Sequence, residues 1–207
     1  RRQRQMCIRD RYYYPRYGWG TQLSNYFDST LKVENLALSG RSSKSFATGI
    51  NENGAVDDSA VANYTQLKEN IKAGDTLIIA WGHNDEKTDS YRFTDPNGDK
   101  DTAGSFKNSL YENYIKLAQD AGATPVLCTP IVRRTASGAW GNNDLHVANG
   151  GDYAQAIRDL GTELGITVID SLNNTKNLYD TVGVGTAPKD AENGCLLYTS
   201  PSPRDCS

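Results

Sequence analysis

The stretch Thr76-Leu77-Ile78-Ile79-Ala80-Trp81 is a short apolar run that leads directly into the turn Gly82-His83-Asn84-Asp85. A strand that is apolar on both faces is typical of a parallel sheet covered on both sides. Three further runs share this pattern, and they are Val33 to Leu38, Thr124 to Thr129 and Ile166 to Asp170. These four runs predict the strands of a mostly parallel sheet.

Apolar residues at helical spacing lie between the predicted strands. The four stripes are Trp19, Leu23 and Phe27; Leu67 and Ile71; Phe106, Leu110, Tyr114, Leu117 and Ala118; and Tyr153, Ala156, Ile157, Leu160 and Leu164. The last three end ahead of Gly74, near Gly122 and at Gly165, while Ser105 and Asp152 are suited to helix N-termini. The alternation of strands and helices predicts an α/β fold, a three-layer α/β/α sandwich with right-handed crossovers.

Two long loops, Asp85 to Gly104 and Ile131 to Gly151, follow the carboxyl ends of predicted strands, where open α/β sheets bind ligands. Asn84 ends one strand, and its amide is placed to donate a hydrogen bond into a cleft. The alternative is a polar turn that caps the following loop. Gly40 follows another strand and lets the backbone approach a ligand closely, although a glycine at such a turn also serves geometry alone.

Both ends of the chain differ in character from the rest. Arg1 to Arg11 and Cys195 to Asp205 match, in frame, translations of the transposase adapters used to prepare DNA sequencing libraries. We therefore expect residues 1–11 and 195–207 to be adapter-derived tails that are not native, and residues 12–194 to be an incomplete domain. On this interpretation the sheet lacks its first strand and the domain lacks its C-terminal segment.

Composition excludes several classes of protein. The 207 residues carry a net charge of −3, and residues 12–194 alone carry 16 basic and 23 acidic side chains, which disfavours nucleic-acid binding. No apolar run reaches the roughly 18 residues of a membrane span. Only Cys128 remains between the tails, so neither a disulfide framework nor a cysteine metal site is expected. With His83 and His146 as the only histidines, we expect no metal or organic cofactor.

Five motifs in order resemble the GDSL, or SGNH, esterases and lipases, and within them the rhamnogalacturonan acetylesterase-like branch. They are Tyr14-Pro15-Arg16-Tyr17-Gly18-Trp19-Gly20, Asn35-Leu36-Ala37-Leu38-Ser39-Gly40-Arg41-Ser42-Ser43-Lys44-Ser45-Phe46, Trp81-Gly82-His83-Asn84-Asp85, Thr129-Pro130-Ile131-Val132-Arg133-Arg134 and Gly151-Asp152-Tyr153-Ala154-Gln155-Ala156-Ile157-Arg158. The resemblance implies the flavodoxin-like SGNH-hydrolase fold. It also implies hydrolysis of an ester, typically an acetyl group on a plant cell-wall polysaccharide, through an acyl-enzyme on serine. The backbone N–H of Gly40 and the amide of Asn84 would be oxyanion-hole donors.

The nucleophile and the base that the family requires are not found in the expected places. No Gly-Asp-Ser block precedes Tyr12, and no Asp-x-x-His pair follows Asp170. Phe27-Asp28-Ser29-Thr30 looks similar to the nucleophile block, but it is expected to be a helix-to-strand turn. His146 lies in a loop where no family motif places the base, and Asp170 is expected to be structural. We therefore expect a fragment of an acetylesterase that is itself inactive.

Alternatives stay open at this point. Two of the alternative functions lie within the superfamily: an acylhydrolase for lipid or xylan esters, and a non-catalytic carbohydrate-binding relative. A third lies outside the superfamily and is a flavodoxin-like nucleotide binder. The last would need a phosphate-cradling turn, which the remaining turns do not provide. The expected partner is an acetylated polysaccharide or another small ester, with neither nucleic acid nor membrane, and the resemblance implies a secreted or periplasmic protein.

Overall fold

A five-stranded parallel sheet organises the structure, a computed structural model that describes residues 2–6, 18–133 and 139–182. In chain order the strands are β1 (Arg2–Met6), β2 (Lys32–Asn35), β3 (Thr76–Ala80), β4 (Thr124–Cys128), β5 (Val147–Ala148), β6 (Gly151–Asp152) and β7 (Val168–Ile169). The sheet order is β2-β1-β3-β4-β7, and β5 and β6 form a separate antiparallel pair. The predicted α/β class and parallel sheet are confirmed, and all four predicted strands are present within three residues of their expected bounds.

The position expected to lack a strand is occupied by β1. Its backbone pairs in parallel with β2, where Gln3 lies opposite Val33, and with β3, where Gln3 lies opposite Thr76. The first strand is thus supplied by residues 2–6, in the expected tail, and not by residues 12–194. The sequence does not predict this strand because Arg2-Gln3-Arg4-Gln5 is polar, whereas central parallel strands are usually rich in Val, Ile and Leu. A parallel ladder needs only backbone N–H and C=O groups, which every one of these residues supplies.

The adapter origin of the tails stays a prediction. Residues 7–11 and 195–207 lie outside the described residues, as do 12–17 and 183–194 at the ends of the expected native domain. The family stretch that begins at Tyr14 is therefore described only from Gly18 onward.

The described residues contain six α-helical segments. They are α1 (Ser43–Thr48), α2 (Asp58–Asn70), α3 (Phe106–Leu110), α4 (Lys116–Asp120), α5 (Tyr153–Leu164) and α6 (Ser171–Val182). A π-helical turn over Tyr111–Ile115 joins α3 to α4. The predicted caps are confirmed, since the Ser105 side chain accepts a hydrogen bond from Asn108 N and the Asp152 side chain accepts one from Gln155 N. Gly165 ends α5 in the left-handed conformation, with φ 64°.

The helix predicted from Trp19, Leu23 and Phe27 is not formed. Two short 3₁₀ helices, Trp19–Thr21 and Leu23–Tyr26, take its place. Gly20 disfavours an α-helix, and the Thr21 hydroxyl donates a hydrogen bond to Gly18 O, which offers the backbone a local alternative. Spacing of four residues does not distinguish these short turns from an α-helix.

The main core lies between the sheet and the helices. Its largest fully buried members are Tyr114, Tyr153, Phe46, Phe106, Leu67, Leu77, Ile79, Leu110, Ile115 and Leu127. Phe46, Trp81 and Tyr114 form an aromatic group in which the Trp81 ring lies 5.4 Å from Phe46 and 5.6 Å from Tyr114, centroid to centroid. A smaller cluster of Val132, Ala154, Leu172 and Tyr179 packs beneath the second long loop. Across the described helices, none is long and apolar enough to cross a membrane.

Gly161 in α5 allows that helix to approach the sheet. A Cβ built there would lie 2.2 Å from Val168 Cγ2 and 3.1 Å from Ile166 O. Alanine favours a helix over glycine by about 1 kcal/mol, but overpacking against backbone costs about 1–3 kcal/mol. We expect Gly161→Ala to lower the free energy of unfolding, measured by urea titration, whereas Glu163→Ala on the exposed side of the same helix changes it little. A stabilised Gly161→Ala variant would contradict this packing.

Candidate active site

A small cleft opens at the carboxyl ends of β3 and β4. It is lined by Trp19, Arg41, Ala80, Trp81, Gly82, His83, Asn84, Thr129, Pro130 and Ile131, and encloses about 30 Å³. Gly82 has φ 138°, and a Cβ there would lie 3.0 Å from Pro130 Cγ. This position therefore needs glycine both for its backbone conformation and for the close contact between the two turns.

Gly40 lies in the turn between β2 and α1 and has φ 76°, which favours glycine. The helix that follows begins with a capping box, in which Ser42 and Ser45 each bond the other's backbone N–H. Arg41, the next residue after Gly40, lines the cleft. The turn thus brings the residue after Gly40 to the edge of the cavity, while the part that the Gly40 N–H takes in binding stays a prediction.

Asn84 lies in the cleft wall with only 4% of its surface exposed. Its Nδ2 donates a hydrogen bond of 3.3 Å to Arg41 O, and its Oδ1 accepts one of 3.3 Å from Arg92 Nη1. Because an arginine can only donate, the contact with Arg92 fixes which end of the amide is oxygen. The structure therefore brings Asn84 and the Gly40 turn together, while their role as an oxyanion hole stays a prediction.

Asp85 ties the same two turns together beneath the cleft. Its buried carboxylate accepts hydrogen bonds from Ser43 N at 3.0 and 3.2 Å, Gly82 N at 3.1 Å and Thr94 Oγ1 at 3.2 Å, and from the Ser43 hydroxyl. Burial raises the pKa of Asp85 to about 6, although these hydrogen bonds act in the opposite direction. A charged group at this depth is stable only because donors surround it.

Glu86, Arg133 and His146 form a buried ionic cluster that joins the two long loops. Arg133 Nη2 pairs with Glu86 Oε1 and donates to His83 O at 3.2 Å. His146 is fully buried, and its Nε2 donates to Ile131 O at 2.6 Å, which leaves Nδ1 3.1 Å from Arg133 Nη1. Burial raises the pKa of Glu86, but its interactions with His146 and Arg133 outweigh that effect and lower it overall. His146 thus holds a loop in place and does not line the cleft.

His83 lines the cleft, although the sequence suggested at most a weak metal ligand. Its ring lies 4.3 Å from that of His146 in an edge-to-face arrangement. Burial lowers the pKa of His83 well below its usual value, and electrostatic interactions with His146, Arg133 and Lys87 lower it further, so the ring is neutral at pH 7. Among the described residues, no three His, Cys, Asp or Glu side chains come together as a metal site.

Two segments that look similar to catalytic motifs have structural roles. Asp170 accepts hydrogen bonds from Thr129 Oγ1 at 3.1 Å, Arg158 Nε at 3.1 Å and Asn173 Nδ2 at 2.6 Å at the start of α6. Burial raises the pKa of Asp170, but these partners lower it overall. Asp28 accepts a hydrogen bond of 2.8 Å from Thr30 N, so the Phe27 to Thr30 segment is the turn that was predicted.

Several residues of the cleft were not predicted from the sequence. Trp19, Arg41 and Pro130 lie within the quoted motifs, but nothing in their spacing shows that they face one cavity. Arg92 comes from the long acidic loop, and only the folded path of that loop carries its side chain to Asn84.

A sheet of parallel strands with a cleft at its carboxyl ends, walled by an amide and a glycine turn, is the arrangement of the SGNH ester hydrolases. The chain matches the family of GDSL-like lipases and acylhydrolases over residues 8–197 and belongs to it. It is 32% identical over 173 residues to rhamnogalacturonan acetylesterase RhgT of Bacillus subtilis (strain 168), which covers 82% of this chain and 62% of that protein. The chain thus spans less than two thirds of the length of that relative, and the resemblance inferred from the motifs is confirmed.

Solved structures agree on the fold. The protein YXIM of Bacillus subtilis matches with a TM-score of 0.59 and 23% identity, over 87% of this chain and 46% of that one. Axe2, an acetylxylan esterase from Geobacillus stearothermophilus, matches with a TM-score of 0.56 and 12% identity, over 100% of this chain and 94% of that one. At these identities the likeness concerns architecture alone.

The raised pKa of Asp85 predicts how stability changes with pH. The folded protein holds this proton up to about pH 6 while the unfolded chain releases it near 3.8, so the carboxyl contributes less stability as pH rises through that window. The shift corresponds to about 3 kcal/mol. We expect Asp85→Asn to remove the contribution of this carboxyl to the pH dependence of the unfolding free energy between pH 4 and 7. Urea titrations at a series of pH values measure this dependence. Asp101→Asn, in an exposed loop, should keep the wild-type slope, and an unchanged slope in Asp85→Asn would contradict the assignment.

The burial of the Glu86–Arg133 pair predicts that the stability costs of substituting its two members are strongly non-additive. Removing one partner, as in Glu86→Met, leaves a buried charge uncompensated and should cost about 3–5 kcal/mol. The double variant Glu86→Met/Arg133→Met should cost less than the sum of the single variants, because no buried charge remains. The exposed pair Glu112 and Lys116 is the matched control, where the same cycle should give a coupling of about 0.5 kcal/mol or less. Additive costs at Glu86 and Arg133 would show that the pair is not buried in solution.

Proposed function

We propose that this chain carries part of the active site of a serine-dependent carbohydrate acetylesterase. The observation that carries the proposal is the Asn84 amide in the wall of a small cleft, 3.3 Å from the carbonyl next to Gly40. Membership in the GDSL-like family and the relative named rhamnogalacturonan acetylesterase support it. The reaction would be acyl transfer, in which a serine attacks the ester carbonyl and the alcohol leaves, after which water hydrolyses the acyl-enzyme and releases the acid and the serine.

The chemistry expected of the described residues is stabilisation of the tetrahedral oxyanion. The N–H of Gly40 and Nδ2 of Asn84 would donate to the oxygen that gains charge when the carbonyl is attacked. The bond from Asn84 to Arg41 O is long, so the amide can exchange that partner for a ligand oxygen. Arg92 donates a hydrogen bond to Oδ1, the other end of the amide, and so keeps Nδ2 directed away from Arg92.

We further propose that the 207-residue chain does not itself hydrolyse esters. Its only histidines are His83 and His146. Burial lowers the pKa of His83 well below its usual value, which weakens it as a base, and His146 is enclosed by Arg133, Ile131 and Glu86. A general base works best with a pKa near the working pH and within reach of the nucleophile. Neither ring meets both conditions.

The substrate we propose is an acetyl ester on a polysaccharide, encountered outside the cell or in the periplasm. A cavity of about 30 Å³ holds about two water-sized groups, which suits an acetyl group better than a long acyl chain. This favours carbohydrate acetyl esters over the lipid esters of other acylhydrolases. If the parent gene encodes no nucleophile, its product would instead be a non-catalytic carbohydrate-binding relative.

The test compares the chain with its parent gene, read past residues 12 and 194. The 207 residues should hydrolyse p-nitrophenyl acetate at the background rate, whereas a parent that encodes Gly-Asp-Ser and Asp-x-x-His should hydrolyse it enzymatically. In that parent Asn84→Ala should lower kcat by about 10²–10³, while Asn53→Ala on the exposed α1–α2 connection leaves it unchanged. Enzymatic rates from the 207-residue chain, or full activity of Asn84→Ala in the parent, would refute these proposals.

A further inference from the structure

We propose that a second pocket, beside the cleft, binds a neutral sugar ring of the acetylated polysaccharide, so that the substrate is held by its carbohydrate part as well as by its acetyl group. This inference rests on the proposed function and names the place where the sugar is held. The pocket encloses about 300 Å³, compared with about 30 Å³ for the cleft, and small-molecule sites typically measure about 300–1,000 Å³. Its lining includes Lys44 from α1, Ile50 and Glu52 from the α1–α2 connection, and Ser90 and Tyr91 from the long acidic loop.

Two arginines join the second pocket to the cleft. Arg41 lines the cleft, and its Nη1 donates a hydrogen bond of 3.0 Å to the carbonyl oxygen of Ile50, a residue of the second pocket. Arg92 Nη1 donates to Asn84 Oδ1 at 3.3 Å, and the guanidinium carbon of Arg92 lies 5.0 Å from the centre of the Tyr91 ring. The two cavities thus lie on either side of the same two side chains, close enough for one acetylated sugar chain to reach both.

The side chains of the second pocket suit a sugar. Tyr91 is half-buried and offers an aromatic surface with a polar edge, against which the C–H groups of a pyranose ring can pack. Lys44 Nζ donates to Ser90 O at 2.7 Å, which places the ammonium between α1 and the loop, and an ammonium has three donors in all. Glu52 is exposed, and its carboxylate can only accept. Hydroxyl groups both donate and accept, so they can use the ammonium and the carboxylate together, and hydrogen bonds to charged groups are the stronger ones.

The balance of charge indicates that the sugar is neutral. Lys44 and Glu52 are the charged residues in the lining of the pocket, and their charges are opposite. Behind the lining, Arg41 and Arg92 are each paired with an aspartate. Because these charges offset one another, the pocket provides hydrogen bonds to hydroxyl groups without a net charge that would select a carboxylate or an amine.

The experiment titrates the ¹⁵N-labelled 207-residue chain with methyl β-D-galactopyranoside, a neutral pyranose, and follows the backbone amide signals by NMR at constant ionic strength. We expect the signals of Glu52, Gly54 and Tyr91 to shift and to saturate in the millimolar range, as suits so small a ligand, while that of Glu69 on α2 stays in place. Glycerol at the same concentration of hydroxyl groups should give no saturable shift, because it has no ring to pack on Tyr91. Sodium galacturonate should bind no more tightly than the galactoside.

Variants of the pocket test which side chains hold the sugar. Glu52→Ala should raise the dissociation constant of the galactoside about tenfold, because hydrogen bonds to a charged acceptor are lost. Glu69→Ala, at an exposed position of α2, should leave it unchanged. Tyr91→Ala should also weaken binding, with Tyr26→Ala at an exposed position as its matched control. Glu52 lies in an exposed connection, so its variant decides the question even if Tyr91→Ala does not fold.

Four results would overturn the inference: no saturable shift at the residues of the pocket, equal shifts with glycerol, tighter binding of galacturonate than of the galactoside, or an unchanged dissociation constant in Glu52→Ala. The proposed function is decided separately, by the esterase assay of the parent with p-nitrophenyl acetate, a substrate that has no sugar. A parent that hydrolyses this ester while the pocket binds no galactoside would therefore refute the sugar site and leave the proposed function standing.

Discussion

The carboxylate of Asp85 is the group on which the geometry of the cleft depends. It joins the turn after β2, through Ser43, to the turn after β3, through Gly82, and reaches the long acidic loop through Thr94. The contact with Ser43 joins segments 42 positions apart in the sequence, whereas those with Gly82 and Thr94 are local. Since Asn84 lies immediately before this anchored carboxylate and Gly40 lies just before Ser43, the distance between the two predicted oxyanion donors is set by one buried group.

A second buried cluster supports the anchored turn from the opposite side. Arg133 holds His83 O, and its pairing with Glu86 brings the loop after β4 against the loop after β3. His146 completes the cluster with φ 60°, an unusual backbone conformation for a residue other than glycine. Residues 83–86 are therefore held by both clusters, which limits how far Asn84 can move. Such preorganisation is what makes hydrogen-bond donors effective in catalysis.

The sequence predicts the parts of this molecule that depend on local pattern. Four strands, three of the helices, the caps at Ser105 and Asp152, and the placing of Gly40 and Asn84 at strand ends all follow from short runs of residues. The strand β1 could not be predicted, because its pairing comes from the backbone while its side chains are polar. The cluster of Glu86, Arg133 and His146 could not be predicted either, because it forms only when the two long loops pack together.

The contact between Gly82 and Pro130 has a consequence for how such a cleft can change during evolution. Any side chain at 82 would meet the proline ring, and the positive φ there already disfavours one. A change at 82 therefore becomes tolerable only after a change at 130 has made room, so the effects of the two positions are coupled. Single substitutions that reshape the cavity are therefore easier at lining positions that are not glycine, such as 19 and 131.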